Sequence, residues 1–331
     1  MIVKPLEYPY RALQLETLIA RLKQDHPSIS AINRDYQLKM AGFRGELAVD
    51  YPLSFLPNDE YYILHDLRLW DGNHFFQIDI LILHAKFALI LEVKNIVGEV
   101  FLDIDLHQLI RVKDGETTAF ADPTLQVNRL KSQLNTLLRN AQFPNIPIYT
   151  FVVFSNTNSA LKLSPSQIKK YKDKVIHKEY LPERIMKLPL SSDETFLSHD
   201  LIKKLIKFLK KKHTPLETDI LAKYQISTED IIPGVKCVIC NNYSLKKSHV
   251  LWYCPICQHK TMEAVLPALK DYYFLFGERI TNRQLRHFLQ LDSMYKSSRI
   301  LKNLNLKVTG SGKSTVHHLN VKLFKSLLEV K

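Results

Sequence analysis

Two apolar runs carrying ionisable residues constrain this chain most. They are Phe75-Phe76-Gln77-Ile78-Asp79-Ile80-Leu81-Ile82-Leu83 and Phe87-Ala88-Leu89-Ile90-Leu91-Glu92-Val93-Lys94. Both read as buried β-strands, where charges are rarely found without partners or a metal. A short polar break at His84-Ala85-Lys86 separates them. A hairpin folded about Ala85 and Lys86 sets Asp79 opposite Glu92, with Cβ atoms roughly 5 Å apart. That spacing suits one shared hard cation. Side chains alternate along a strand, so Gln77 shares a face with Asp79 and Lys94 with Glu92, while Val93 points away. Two carboxylates, one ammonium and one amide are thus expected on one side of a hairpin.

Charge is spread unevenly over the 331 residues. The net charge is +13, yet residues 232–331 alone carry 16 Lys/Arg against 5 Asp/Glu. A nearly neutral front and a strongly basic tail fit a catalytic or structural domain followed by a polyanion-binding module. No apolar run reaches the length of a membrane span. The first residues lack a signal-peptide core, so a cytoplasmic location is expected. The four cysteines all lie between Cys237 and Cys257, which argues for a metal site and against a disulfide scaffold.

Periodicity suggests an amphipathic helix from Tyr10 to Asp25 and a second from about Ser30 to Asp50, with Glu46 beside Met40, Phe43 and Leu47. Strands follow from Tyr61 to Leu69 and over the two apolar runs. Gly98 to Leu102 and Gln108 to Val112 read as a further hairpin. Asp122-Pro123 opens a helix to about Asn140, with Leu125, Leu130, Leu134, Leu137 and Leu138 expected inward. Ile148 to Phe154 reads as a buried strand. A shorter strand near Lys174 to His177 and a helix from about Asp193 to Lys212 come next. The order implies an α/β fold, a mixed sheet flanked by helices. The expected domains are 1–213, a linker at 214–233, a cysteine module at 234–262 and a basic region at 263–331.

Gly45-Glu46, Gln77-Ile78-Asp79, Glu92-Val93-Lys94-Asn95 with Gly98 after it, and Asp122-Pro123 with Gln126 resemble the nuclease-related domain family. That family is a branch of the PD-(D/E)xK restriction-endonuclease-like superfamily. Ile78 stands where the superfamily's name has proline. The resemblance covers about residues 40–155 and implies a restriction-endonuclease-like fold and metal-dependent cleavage of DNA, as an endonuclease. Asp79 and Glu92 would hold Mg²⁺ or Mn²⁺, with the Val93 carbonyl as a third ligand. Lys94 would orient the attacking water or stabilise charge on the phosphorane. Glu46 would reach the metal through water, and Gln77 and Gln126 would support the site. His65, Asp66, Asp103 and Asp105 carry less signal. A buried ion-pair cluster, or a scaffold that only binds nucleic acid, would use the same residues.

Cys237-Val238-Ile239-Cys240 and, 13 residues later, Cys254-Pro255-Ile256-Cys257 have the spacing of a structural Zn²⁺ site. The module resembles a zinc ribbon. Lys246, Lys247, Trp252 and Tyr253 lie between its knuckles, and the aromatics are expected to stack on bases or to cover the zinc core. Beyond it, a Thr281-capped helix, a basic helix with Lys296, Arg299 and Lys302, and a glycine-turned hairpin with Lys313 resemble a winged helix-turn-helix. The expected partner is nucleic acid, DNA ahead of RNA. Gly310-Ser311-Gly312-Lys313-Ser314 suggests a P-loop, but Lys307 stands where that motif needs its first glycine.

Overall fold

The computed structural model describes residues 1–163, 168–169, 171–188, 196–216 and 218–328. Strand β1 (Ile2–Lys4) precedes two helices, α1 (Tyr10–Arg21) and α2 (Ile29–Leu47). The chain divides into two compact units, and the division falls inside α2. One unit is Met1–Glu7 with Met40–Leu216, and the other is Tyr8–Lys39 with Glu217–Lys331.

In the first unit, α3 (Asp50–Leu53) leads into the long strands β2 (Tyr62–Trp70), β3 (Phe75–His84) and β4 (Phe87–Lys94). A second hairpin follows, β5 (Gly98–Asp103) and β6 (Gln108–Lys113), extended by β7 (Glu116–Ala121). Then come α4 (Pro123–Asn140), β8 (Ile148–Phe154), β9 (Ser159–Leu163), β10 (Val175–His177), α5 (Leu181–Met186) and α6 (His199–Lys212). The expected start of α6 at Asp193 lies outside the described residues.

The main sheet has the order β1-β2-β3-β4-β8-β10. Its outer pairs are parallel, and β3 runs antiparallel to both β2 and β4. Both faces are covered, which is why β3 and β4 read as nearly continuous apolar runs. On one face Leu64, Leu81 and Ile90 pack with Leu130 and Leu134 of α4 and Leu205 of α6. On the other, Ile63, Ile82 and Leu89 pack with Leu53 of α3 and Leu181 of α5. Leu125, expected inward, is instead 48 % exposed. The buried stripe of α4 runs through Val127, Leu130, Leu134, Leu137 and Leu138. Helix α2 stops at Leu47, short of the expected Asp50, and Pro52 sits in the first turn of α3, where its missing N–H costs nothing.

A second sheet, β7-β6-β5-β9, packs Val100, Leu102 and Leu109 against Val152 and Phe154. Strand β7 lacks an apolar alternation and is largely exposed, so its sequence carries no strand signal.

The second unit gathers residues 8–39 with the C-terminal third, whereas the sequence assigns them to the first domain. Leu15, Leu18 and Leu22 share one core with Ile220, Leu221 and Ile231, from the stretch expected to be a linker. Arg21 is the hub. It is fully buried, pairs with Asp271 at 2.8 Å and donates to the carbonyls of Ile232 and Gly234. Its guanidinium lies 4.4 Å from each of the Tyr243 and Phe288 rings. An amphipathic helix such as α1 declares that one face is buried, not against what.

The unit continues with α7 (Ile220–Lys223) and the short strands β11 (Lys246–Lys247), β12 (Trp252–Tyr253) and β13 (Lys260–Thr261), which form one antiparallel sheet. After α8 (Val265–Phe276) come β14 (Arg279–Ile280), α9 (Asn282–Phe288), α10 (Met294–Asn303), β15 (Lys307–Thr309) and β16 (Val316–His318). The last sheet has the order β14-β16-β15. Thr281 and Gln284 form a capping box at the start of α9. Gly312 to Ser314 form the hairpin tip, followed by a strand and not by the helix a P-loop requires. No helix among the described residues is long and apolar enough to cross a membrane.

Candidate active site

The hairpin turns at Ala85 and Lys86, with His84 paired to Phe87. Its ladder stops at Ile80 and Leu91, one pair short of Asp79 and Glu92. From there β4 stays with β8 as far as Lys94 and Phe154, while β3 stays with β2 as far as Trp70 and Phe75. The sheet forks, and the two carboxylates stand at the fork. Asp79 Oδ2 bridges it by accepting from the Val93 N–H at 2.8 Å. Val93, offered by the sequence as a carbonyl ligand, thus contributes its amide to Asp79.

A local irregularity produces the fork. Ile78 and Leu81 lie in the core under α4, yet Ile80 and Ile82 lie in the opposite core. The buried faces of β3 therefore switch at Asp79. On β2, Asp66 takes a left-handed backbone (φ 47°), a conformation that a short polar side chain tolerates. Lys4 Nζ holds this kink by donating to the carbonyls of His65 (2.8 Å) and Asp66 (3.1 Å).

Lys94 Nζ donates to Glu92 Oε1 at 2.7 Å and to Gln126 Oε1 at 3.2 Å. Gln126 lies in the first turn of α4, whose start is fixed by Asp122 accepting from Thr124 N–H. Glu92 is buried, and its Oε2 has no hydrogen-bond partner among the described residues. Burial pushes the Asp79 carboxyl well above the ordinary range, and the neighbouring charges of Glu92 and Glu46 push it further. The Val93 amide and Lys94 only partly oppose this. Three carboxylates thus bear on one ammonium.

Glu46 reaches this field because of Gly45. A Cβ at Gly45 would lie 2.5 Å from Asn95 Cβ and 2.9 Å from Ser155 Oγ, so only glycine lets α2 lie against the end of β4. Asn95 locks the contact, donating to the Ala41 carbonyl at 2.7 Å and accepting from Asn156 at 3.0 Å. Gly45→Ala is expected to destabilise the first unit by about 1–3 kcal/mol, the usual cost of overpacking. Urea denaturation of both proteins checks this.

Gln77 is exposed and donates to Asp66 Oδ1 at 2.6 Å. The face switch at Asp79 accounts for this partner. Asp103 caps a turn by accepting from Leu106 N–H at 3.0 Å. The roles of Asp66 and Asn95 in shaping the fork escape sequence reasoning. Asp66 carries no signal beyond a charge in a strand, and Asn95 only its place after Lys94.

The four cysteines converge. Their four sulfur atoms all lie within 4.8 Å of one another, placed to hold one metal ion. Cys237 and Cys257 sulfurs lie 3.5 Å apart, and those of Cys240 and Cys254 3.6 Å apart. A tetrahedral ion with about 2.3 Å bonds to sulfur needs sulfurs about 3.8 Å apart, so the cluster fits one. The residue after each second cysteine, Asn241 and Gln258, has a left-handed backbone (φ 60° and 62°), so the two knuckles turn alike. The Ser244 hydroxyl, beside the Cys254 sulfur at 3.3 Å, draws that thiol down to about 6 and favours thiolate.

Of the two roles open to it, Trp252 takes the one inside the core. It is fully buried in the second unit's core and cannot stack on a base. Lys247 Nζ sits 5.4 Å from its ring centroid. Tyr253 is 41 % exposed. Lys296 donates to the Lys247 carbonyl at 3.1 Å, which ties α10 to the cysteine module. Burial, and then the charges of Arg299 and Lys296, hold the Lys247 ammonium below its usual range. Lys246, Arg299, Lys302 and Lys313 are exposed, and Lys302 and Lys313 line one groove with Arg283 and Arg286.

No curated protein and no solved structure matches this chain. Gly45, Glu46, Gln77, Asp79, Glu92, Lys94 and Gln126 all fall within residues 41–155, the stretch that matches the family model described as nuclease-related domain.

Proposed function

We propose that the chain is a metal-dependent nuclease that hydrolyses phosphodiester bonds of DNA at the fork between β3 and β4. The observation that carries this reading is the mismatch of charge there. A buried Glu92 oxygen has no partner among the described residues, and the Asp79 carboxyl is raised by burial and by its acidic neighbours. That donor set fits a hard divalent cation, Mg²⁺ or Mn²⁺, held by Asp79 and Glu92 with the Val93 carbonyl, and by Glu46 through water. Such a cation, when bound, supplies charge neutralisation at the phosphate and lowers the pKa of an attacking water. Lys94 orients that water or stabilises the charge that develops on the phosphorane. Gln126 positions Lys94 by accepting from its Nζ. Gln77 supports the site through Asp66.

The second unit serves as the grip. Helices α8, α9 and α10 with the sheet β14-β16-β15 support a winged-helix-like reading. In it, α10 presents Arg299 and Lys302 to a major groove and Lys313 touches phosphate from the hairpin tip. Zn²⁺ on the four cysteines fixes the ribbon, and with it Lys246 and Lys247, beside α10.

The test is cleavage of single- and double-stranded DNA and RNA by wild type and Lys94→Ala, with Mg²⁺, Mn²⁺ or chelator. The expected result is metal-dependent cleavage of DNA, lowered about 10²–10³-fold by the substitution, with binding retained. Wild type that binds DNA yet cuts no substrate with either metal would establish a binding scaffold in place of an enzyme.

A further inference from the structure

The β2–β3 hairpin continues past Asp79 and ends in a feature that the nuclease reading does not use. Trp70 and Phe75 are 46 % and 47 % exposed. They pair across the strands, with ring centroids 4.8 Å apart. The Arg68 guanidinium lies 3.8 Å from the Phe75 ring centroid. Arg68 pairs with Gln77, so these four side chains share one face, while Leu67, Leu69, Phe76 and Ile78 fill the core behind them. A half-buried cation lies over a phenyl ring, and an indole tilted 56° to that ring completes the cluster, with both rings about half exposed.

The platform and Asp79 lie on the same hairpin, with the platform on the face turned away from the α4 core. Phe75 is four residues from Asp79 on one strand, about 13 Å at a rise of about 3.3 Å per residue. That is about four stacked base steps. Gln77, between them, is bonded to Asp66 at the kink. The surroundings are cationic. The end of α6 is tied to Arg68, because His213 Nδ1 accepts from the Arg68 N–H at 3.1 Å and Thr214 N–H donates to the Arg68 carbonyl at 2.9 Å. This holds exposed Lys211 and Lys212 nearby. Three acids lie nearby, and one of them, Glu7, is exposed and acts on His213. Asp71 is taken up by the N–H groups of Asn73 and His74 and by Gln133, and Asp66 by Gln77.

We infer that Trp70, Phe75 and Arg68 form a stacking platform for unpaired nucleobases, which holds a single-stranded segment on the hairpin that carries Asp79. The inference deepens the nuclease reading and rests on it for what becomes of the strand. A base paired inside a duplex has no free face to offer, whereas every unpaired base has one. The surface is an aromatic pair with a cation on it, flanked by lysines, and that chemistry matches a base with its phosphate. A protein contact is the rival occupant.

The test measures binding in the full chain with a chelator present, so it does not depend on cleavage. The sequence has two tryptophans, and Trp252 is fully buried. Emission from Trp70 therefore reports on the platform. Oligothymidine of about 12 nucleotides is expected to quench it, and the same length of duplex to leave it unchanged. Trp70→Ala and Phe75→Ala should each weaken oligothymidine binding about 5- to 150-fold, the range of stacking on one side chain. Duplex binding should stay within about twofold, and Trp70→Phe should restore single-strand affinity while losing the quench. Because the pair also braces the hairpin, melting temperatures are compared, and Phe75→Leu keeps the test open if Trp70→Ala misfolds. Unquenched emission, unchanged single-strand affinity in the variants, or equal loss for duplex and single strand would overturn the platform. Binding as expected without cleavage in metal would overturn the nuclease reading and leave the platform standing.

Discussion

Asp79→Asn is expected to raise the thermal stability of the metal-free first unit at neutral pH and to abolish the proposed cleavage. The amide is isosteric and still accepts from the Val93 N–H, which Asp79 bonds at 2.8 Å, so the fork keeps its bridge. What disappears is a charge that burial and the carboxylates of Glu92 and Glu46 oppose. The sign follows from linkage. A carboxyl whose folded pKa is raised takes up its proton more readily in the folded state. Its contribution to stability is intact below the ordinary carboxylate range and is lost as pH climbs from there through the raised value. The Tm difference between variant and wild type should therefore be near zero at about pH 3 and grow as pH rises. A gain of about 2–4 °C at pH 7 would mean roughly 1 kcal/mol of relieved repulsion in a unit of this size. Mg²⁺ or Mn²⁺ should raise the Tm of wild type and leave the variant nearly unmoved, because only wild type offers both carboxylates. Cleavage should fall at least about 10²–10³-fold. A variant less stable than wild type at pH 7, or equally responsive to metal, would show that Asp79 serves the fold and not a cation.

The same residues show how far the chain could be read before its structure. Alternation along β3 and β4 and the polar break at Ala85 and Lys86 were enough to pair Asp79 with Glu92, because a short hairpin has one register that buries both apolar runs. The observed ladder keeps that register and stops one step short of the pair. The stop is invisible in the sequence. It depends on β2, where Asp66 leaves the extended conformation and Lys4, sixty residues earlier in the chain, satisfies the kinked carbonyls. Local patterns do not encode such distant partners. Residues 8–39 escaped for a similar reason. Arg21 reads as a solvent-facing helix residue and is in fact fully buried, paired with Asp271. The cysteine spacing was legible because one ion imposes one geometry on four neighbours. Trp252 was not, since nothing local says which side of a short strand faces the core.

Removing the metal from the cysteines, by a chelator or by Cys254→Ser, should unfold the whole second unit and not the ribbon alone. Cys237 and Cys254 are fully buried, and Cys240 and Cys257 pack against the same core. That core also holds Trp252, Leu269 of α8, Leu285 of α9 and Leu301 of α10, together with Leu15 and Leu18 of α1. No boundary separates the ribbon from the helices that would carry the DNA grip. Structural zinc contributes roughly 10–16 kcal/mol in small zinc domains, and a whole domain is stable by only about 5–15 kcal/mol. Four crowded thiols left without an ion would therefore outweigh the remaining contacts. The first unit has separate cores over its main sheet, and none of them contains a residue of the cysteine module. Calorimetry of the full chain should show the second unit's transition lost on chelation and the first unit's retained. Trp252 emission should shift to the red as its ring meets water, and elemental analysis should return one zinc per chain before chelation and none after. High-affinity duplex binding should go with the transition, because Arg299, Lys302 and Lys313 lose their frame. Should Cys254→Ser keep both transitions and full duplex affinity, the thiols would be a packed cluster without a structural ion.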